Sequence, residues 1–380
     1  MKIGILSFWD TDHNYGQILQ CYALQQFLKN LGHEVFHIRH TASGSVPLTK
    51  RIVALSRIIF RGNLPDYLRL LKEIRRNPDD VELWQRLKSA QNEENAQHPR
   101  GFEKFKARYI KYSDREYNQT EIFSDSPQVD CLIAGSDQVW GGPDKIFMMD
   151  FGARNVKRIS YAASMGGAKL ENKYLRSEFK RLLKKIDYVT LREQDGVDLC
   201  RALGRPDAEL APDPVMLLDG EHYRSIAVKP TETGEYVMIY MLGNPSAIKI
   251  DEVVGWCEAN GLRYKYVAAQ GQIDDYSKEY PNIDEWLGLI DGAKYVITNS
   301  FHGMVTSIVL NKQFLVIPTA GSVARMNSRL TSTLNPLQLE GRILGKGLDE
   351  VMTPIDYERV NKLLATKRQE IKEKFTKWLK

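Results

Sequence analysis

The densest run of chemistry-bearing residues lies at 295–318, YVITNSFHGMVTSIVLNKQFLVIP. Its β-branched start, Tyr295–Thr298, predicts a strand that stops at Asn299-Ser300. A helical pattern opening at Met304 then leaves His302 and Gly303 in a tight turn between the two. A helix N-terminus carries unpaired N–H groups and partial positive charge, so it attracts anions. Gly303 lets the backbone approach a ligand closely. His302 can supply a proton or a charge near pH 7, although a purely structural histidine fits the same pattern. Together they suit an anionic substrate whose chemistry needs an acid.

Four further polar clusters follow strand-like runs. Asn14-Tyr15-Gly16-Gln17 comes after the apolar run at 2–8, Gly135-Ser136-Asp137-Gln138 after CLIA, Ser164-Met165-Gly166-Gly167 after ISYAA, and Arg192-Glu193 after YVTL. In open α/β sheets ligands bind beyond the carboxyl ends of the strands. Five polar clusters at equivalent positions therefore predict a cleft. Arg192 offers a planar fork for phosphate or carboxylate; its alternative use is to pair with Glu193 or cap a carbonyl. Asp137 suits a general base or a group that orients an acceptor hydroxyl. Its alternative use, with Ser136, is to cap a helix.

The elements that must hold these residues alternate. Apolar runs predict strands at 2–8, 34–38, 129–134, 158–162, 188–191, 209–211, 236–240, 264–268, 295–298 and 314–317. Periodicity of i, i+3, i+4, i+7 predicts helices at 15–31, 172–185, 193–203, 245–260, 283–288, 304–310 and 355–380. Strand–helix alternation means parallel sheets covered by helices. A length of 380 residues favours two cores over one. We expect an α/β protein of two Rossmann-like, doubly wound domains. The first would span 1–205 with a basic helical insertion at 41–98, the second 206–354, and the helix at 355–380 would pack back on the first. Within the insertion, the basic residues between Lys50 and Arg76 are interleaved with apolar ones. They suit either an anionic membrane surface or packing on the first domain. Residues 89–98, SAQNEENAQH, read as a mobile linker.

Composition excludes several classes. The balance of 53 Lys and Arg against 48 Asp and Glu favours anionic partners only mildly. Cys21, Cys131, Cys200 and Cys257 stand far apart, as reduced core residues of a cytosolic protein rather than a disulfide frame or zinc site. No apolar run is long enough to span a membrane, and MKIGILSFWD reads as a first strand, not a signal peptide. GxGxxG after the first strand and GxxxxGK[ST] are both lacking, so dinucleotide and P-loop readings lose support. The basic patches lack the aromatic interleaving of a nucleic-acid surface. Asp10-Thr11-Asp12 has the DxD spacing of metal-dependent sugar transferases but occurs easily by chance. Asp79-Asp80 and Asp274-Asp275 read as solvated charges.

The set NYGQILQCYALQQFLKNLGHEV, CLIAGSDQVW, RISYAASMG, TLREQDGVDLC, APDPVMLL and ITNSFHGMVTSIVLNKQFLVIP resembles the polysaccharide pyruvyl transferase family. It covers most of the chain outside 41–98. The resemblance implies a GT-B-like fold, with two domains facing across a cleft. It also implies transfer of the carboxyethylidene group of phosphoenolpyruvate to two sugar hydroxyls, giving a cyclic ketal and phosphate. No cofactor or metal is implied. His302 and Asp137 would be catalytic, and Arg192, His302, Ser300 and Gly303 would line the donor site. Several members carry Arg two residues before the His, where this chain has Ser300; Arg325 or Arg329 would supply that charge. Asn14, Tyr15, Gln17, Ser136, Gln138 and Ser164 would face the glycan acceptor, which a lipid-linked intermediate at the inner face of the cytoplasmic membrane would fit. The rival readings are a GT-B glycosyltransferase using a nucleotide sugar and a glycan-binding protein without catalysis.

Overall fold

The computed structural model describes residues 1–41, 89, 91–232, 234–243, 245–272 and 274–380. The basic segment at 50–76 and Asp79-Asp80 lie outside the described residues. Among the described residues ten strands form two sheets. The first holds β1 (Lys2–Leu6), β2 (Glu34–His37), β3 (Cys131–Ala134), β4 (Lys157–Ala163), β5 (Tyr188–Leu191) and β6 (Glu209–Leu210) in the order β2-β1-β3-β4-β5-β6. The second holds β7 (Val237–Tyr240), β8 (Tyr264–Tyr266), β9 (Tyr295–Thr298) and β10 (Gln313–Val316) in the order β10-β9-β7-β8. Every strand pair in both sheets is parallel. Because β6 belongs to the first sheet, that sheet runs past residue 205 to Leu210.

Among the described residues, eleven helices besides the helical stretch at 91–97 connect and cover the strands: α1 (Tyr15–Asn30), α2 (Phe102–Tyr109), α3 (Glu121–Ser124), α4 (Lys173–Leu183), α5 (Gln194–Ala202), α6 (Gly220–Ile226), α7 (Ile250–Ala259), α8 (Ile283–Gly292), α9 (Phe301–Val309), α10 (Ser328–Leu334) and α11 (Tyr357–Trp378). Parallel sheets bury both faces, and successive strand side chains point to opposite sides. On β3, Cys131 and Ile133 enter one core while Leu132 and Ala134 enter another. On β7, Met238 and Tyr240 join the core that also holds Ile3 and Ile5, while Val237 and Ile239 face away. One hydrophobic core is therefore shared by both halves.

Two elements tie the halves together. Val360, Leu364, Ile371, Phe375 and Trp378 form the buried stripe of α11, at helical spacing. Phe375 meets Phe27 and Tyr161, and Trp378 stacks on Tyr188, so α11 lies against the first sheet's side. Tyr15, at the start of α1, stacks on Trp286 of α8 with centroids 5.1 Å apart.

The structure corrects several expectations. Residues 91–97 are helical rather than a mobile linker. Gln91 Oε1 accepts from Gly271 N at 2.6 Å, Glu94 pairs with Lys278 at 3.3 Å and accepts from Tyr280 OH, and His98 stacks on Tyr280. Polar side chains thus dock this segment on the second half, a use that composition does not reveal. Asp274 is not a solvated charge either: it accepts from Tyr266 OH and Gln272 Nε2 and faces Lys278 at 3.5 Å. The helix expected from 245 starts at Ile250, because Ser246 forms a bridge with Thr319 and Glu252 accepts the Lys249 N–H.

Replacing Glu94 with Ala leaves the Lys278 ammonium, whose side chain is 5% exposed, with Asp274 as its remaining acidic partner among the described residues. The expected outcome is a loss of roughly 1–3 kcal/mol, the worth of a hydrogen bond to a charged group. It would be read as faster amide hydrogen exchange at 91–97 and in the 270–280 loop; unchanged exchange refutes the docking role.

Candidate functional site

The site grows from the end of β5. Arg192 follows Leu191 directly and is 2% exposed. Its Nη1 donates to Asp213 Oδ2 at 2.9 Å and to Ser136 Oγ at 3.2 Å, while Ser136 donates to the same Asp213 oxygen at 2.8 Å. Asp213 is fully buried and caps the short helical turn Pro214–Leu217, with Oδ1 accepting from Val215 N at 3.0 Å. Burial alone would raise the Asp213 carboxyl. His302, Arg192 and the Val215 N–H outweigh burial and hold it well below the usual carboxylate range. Arg192 therefore pairs with Asp213, distant in sequence, instead of its neighbour Glu193.

The second half delivers His302. Ser300 is the N-cap of α9, its side chain accepting from Gly303 N at 3.3 Å, so the helix opens at Phe301, not Met304. His302 and Gly303 thus sit inside the first helical turn. The hydroxyl at 300 makes this earlier start favourable. His302 Nε2 lies 3.5 Å from Asp213 Oδ2 without a well-aligned hydrogen bond. A Cβ on Gly303 would stand 2.7 Å from Thr298 Oγ1, so glycine lets α9 close onto its own strand. Across the cleft, a Cβ on Gly16 would stand 2.2 Å from two atoms of the His302 ring. Gly16 thus leaves the space His302 occupies.

Phe301 organises a second cation. The Arg192 guanidinium lies 4.3 Å from its ring centroid and that of Arg329 lies 5.6 Å away. Arg329 is buried; burial and the nearby Arg192 lower it to about 10, against the attraction of Glu193 and Asp137. Burial raises the carboxyl of Glu193, although Arg192 and the Met165 N–H that Oε1 accepts oppose the shift. Asp137 Oδ1 accepts from Gln138 N at 2.7 Å, and no helix follows, so it caps none.

Buried polar atoms nearly always find partners. Among the described residues fourteen buried side-chain atoms do not, and five belong to this cluster: Arg192 Nε and Nη2, Glu193 Oε2, Asp137 Oδ2 and His302 Nε2. Donors and acceptors left unpaired together mark a place built for a polar ligand.

Other expected residues lie elsewhere. Gln138 and Arg325 line a cleft of about 350 Å³ with Met165, Gly166 and Gly167. Gly166 and Gly167 have φ of 60° and 78°, which glycine adopts without strain. Tyr15 cannot face an acceptor: it is fully buried, and its hydroxyl donates to Pro281 O at 2.9 Å. Ser136 and Ser164 are also fully buried; Ser136 serves the ion pair and Ser164 Oγ accepts from Gly166 N. Asn14 caps α1 by accepting from Gln17 N, and its Nδ2 lies 3.5 Å from Gln270 Oε1. Gln17 is half-buried beside it. Asp213, Phe301, Glu193 and Gly16 carry structural weight here that the residue-by-residue reading did not assign. The signal for Asp213 was its place between two prolines in APDPVMLL.

The sequence model described as polysaccharide pyruvyl transferase matches residues 14–321. A search of the curated proteins gives no match. Among solved structures, the chain is similar to UDP-GlcNAc 2-epimerase from Neisseria meningitidis bound to UDP-GlcNAc, at 9% identity and TM-score 0.45, covering 98% of this chain and 93% of that one. It is also similar to S. aureus MnaA with UDP, at 10% identity and TM-score 0.45, over 96% and 88%. The glycosyltransferase SnogD from Streptomyces nogalater gives 13% identity and TM-score 0.40, over 98% and 94%.

Two outcomes test this geometry. Asp213→Asn leaves Arg192 buried without its counter-ion and should cost about 3–5 kcal/mol. Because the native carboxyl is held below its ordinary 3.8, its contribution is full above that value and is lost as pH falls through the native one. The stability gap between wild type and variant should therefore stay constant from neutral pH to about pH 5 and narrow in stronger acid; a gap that instead narrows near pH 7 refutes it. Gly16→Ala should lower the melting temperature although Ala gains about 1 kcal/mol of helix propensity, since the new methyl meets the His302 ring; a raised melting temperature contradicts the contact.

Proposed function

The chain belongs to the polysaccharide pyruvyl transferase family, and we propose that it moves the carboxyethylidene group of phosphoenolpyruvate onto two hydroxyls of one sugar in a glycan or lipid-linked glycan precursor. The observation that carries this reading is the buried set around Phe301: unpaired nitrogens of the Arg192 guanidinium, an unpaired imidazole nitrogen and two unpaired carboxyl oxygens, with the Arg329 guanidinium beside the same ring. A donor bearing a carboxylate and a phosphate needs fixed cations, and Arg192 and Arg329 supply them. Arg329 takes the place of the charge that Ser300 does not carry.

The chemistry assigns a role to each group. The methylene carbon of the donor takes a proton from solvent and becomes a methyl, leaving an oxocarbenium-like C2. A sugar hydroxyl attacks C2, and Asp137 Oδ2 takes the proton it sheds. A second hydroxyl of the same sugar then forms a bond to C2 as the C2–O bond to phosphate breaks, and its proton returns to solvent. His302, whose Nε2 faces Asp213 Oδ2 at 3.5 Å, gives a proton to the departing phosphate. Ser300 caps α9 by accepting the Gly303 N–H, and the positive end of that helix faces developing anionic charge. Holding both hydroxyls against one carbon makes the second attack intramolecular, where effective molarities reach about 10⁵ M. Gln138 and Arg325, on the 350 Å³ cleft, are the acceptor-side contacts this reading favours.

Incubating the protein with phosphoenolpyruvate and candidate glycans should release inorganic phosphate and add a carboxyethylidene group detectable by mass. Release of nucleotide from a nucleotide sugar instead would favour a glycosyltransferase. His302→Ala should lower kcat by about 10²-fold or more, the usual worth of acid–base help. Arg329→Lys, which keeps charge but loses the fork, should raise the donor KM. Wild-type kinetics in both variants would sink the assignment.

A further inference from the structure

Helix α4 and its C-cap carry four cations on one face. Lys173, Arg176, Lys180 and Lys184 fall at i, i+3, i+7 and i+11, which places them in a single stripe. Lys173, Lys180 and Lys184 are exposed, and Arg176 is half-buried. Among the described residues none of the four forms an ion pair, because the acids nearby are taken by other cations. Asp150 and Glu178 face Arg181 at 3.4 and 3.0 Å, and Asp150 also pairs with Lys185. Helix α11 shows the opposite habit: Lys362, Lys367 and Lys374 pair with Glu358, Glu370 and Glu209. The α4 stripe costs its helix stability. Like charges three or four residues apart repel, and Lys173 stands in a first turn that has no acid, against the helix dipole. Folding gains nothing from this face.

The stripe starts beside the cleft. β4 and β5 are parallel neighbours, so α4 runs back from the carboxyl edge, where the cleft opens, toward the amino edge. Gly167 and Ala168 line the 350 Å³ cleft together with Arg325 of the second half. Exposed Lys169 comes next, then Leu170, which is buried although its φ is 47°. A branched side chain adopts that conformation only at a cost, and its burial pins the loop with Lys169 at the surface. From Lys173 to Lys184 the stripe extends about 16 Å at 1.5 Å per residue. Among the described residues the large apolar side chains left exposed are Met1, Phe8, Val228 and Met352. None is on α4, so this face lacks the apolar anchors of a helix that enters a lipid surface.

We infer that this face is the track of an acidic glycan. The sugar to be modified sits in the cleft, and anionic groups farther along the same chain lie over Lys169, Lys173, Lys180 and Lys184. Placing an acceptor in the cleft rests on the proposed function; the charge complementarity of α4 does not. At about 30 Å³ per water, the cleft has room for roughly a dozen waters, hence for the end of a polysaccharide and not its length. The rest of the chain must leave across the surface, and the unpaired stripe is where an anionic chain is held. Each exposed contact is weak and screened by salt, so affinity comes from several contacts made by one chain.

The test is calorimetric titration of the full chain with hexagalacturonate, digalacturonate and the methyl ester of hexagalacturonate, a neutral chain of the same backbone. Hexagalacturonate should bind at least about tenfold more tightly than its ester and severalfold more tightly than digalacturonate. Lys173→Glu/Lys180→Glu should lose both preferences. That variant relieves repulsion within α4, so its melting temperature should be unchanged or raised, which separates lost binding from lost fold. Phe375 and Trp378 place α11 on the face of the first sheet opposite Phe179 and Leu182 of α4. Lys372→Glu/Lys377→Glu, at exposed positions of α11, removes the same net charge and should keep wild-type binding. Equal binding of acid and ester, or an equal loss in the α11 variant, overturns the inference. Vesicles of phosphatidylglycerol and phosphatidylcholine are the other arm: vesicle binding that needs Lys173 and Lys180, without hexagalacturonate binding, assigns the face to a membrane and also overturns it. A protein that prefers hexagalacturonate to its ester but transfers nothing would refute the proposed function and leave the acidic-glycan face standing. Transfer to an acidic glycan with an acceptor KM unchanged in the α4 variant would leave the function and refute the track.

Discussion

Two opposite charges removed from water, Arg192 and Asp213, set the terms for everything around them. Each would be costly alone, and their attraction offsets desolvation only with good geometry and further hydrogen bonds. Ser136 and the Val215 N–H supply those bonds. The pair therefore fixes the ends of β3 and β5 and the turn after β6 against one another. It also places a permanent negative charge 3.5 Å from His302, which comes from the other half of the molecule. Satisfying the buried charge and orienting the imidazole are the same act.

That arrangement requires two halves that do not drift. The stacked rings of Tyr15 and Trp286, the α11 stripe against the first sheet, and the Gln91–Gly271 and Glu94–Lys278 contacts all cross between them. These contacts differ in kind: aromatic and aliphatic burial supplies most of the free energy, while the polar contacts set orientation. Gly16 shows how close the fit is, since a single added methyl would meet His302. The unpaired groups around Phe301 are held by this frame, so their arrangement precedes any ligand and carries little ordering cost on binding.

Glu193 and Arg329 illustrate how one environment gives an acid and a base different characters. Burial pushes Glu193 up, and burial beside Arg192 pushes Arg329 down. The depressed guanidinium and the raised carboxyl both register removal from water. An incoming anion would relieve Arg329, which is the electrostatic logic of a preorganised anion site.

The strands were legible in the sequence because parallel sheets bury both faces and so leave continuous apolar runs, as at CLIA and YVIT. The five polar clusters were legible because loops after such strands gather at one edge. His302 and Arg192 stand at that edge. Helix starts at Phe301 and Ile250 were misplaced because a cap depends on one side chain reaching one N–H, which spacing does not reveal. The docking of 91–98 was invisible for a related reason: its polar composition is that of a linker, and its partners lie some 180 residues away. Tyr15 read as a ligand contact until Trp286 was found stacked upon it. What the chain's own order determined was which residues end strands, and hence which edge gathers the polar clusters. Only the tertiary structure decided that Asp213 answers Arg192, that Arg329 shares Phe301 with it, and that Gly16 makes room for His302. Those choices depend on separations through space, and local periodicity holds no information about them.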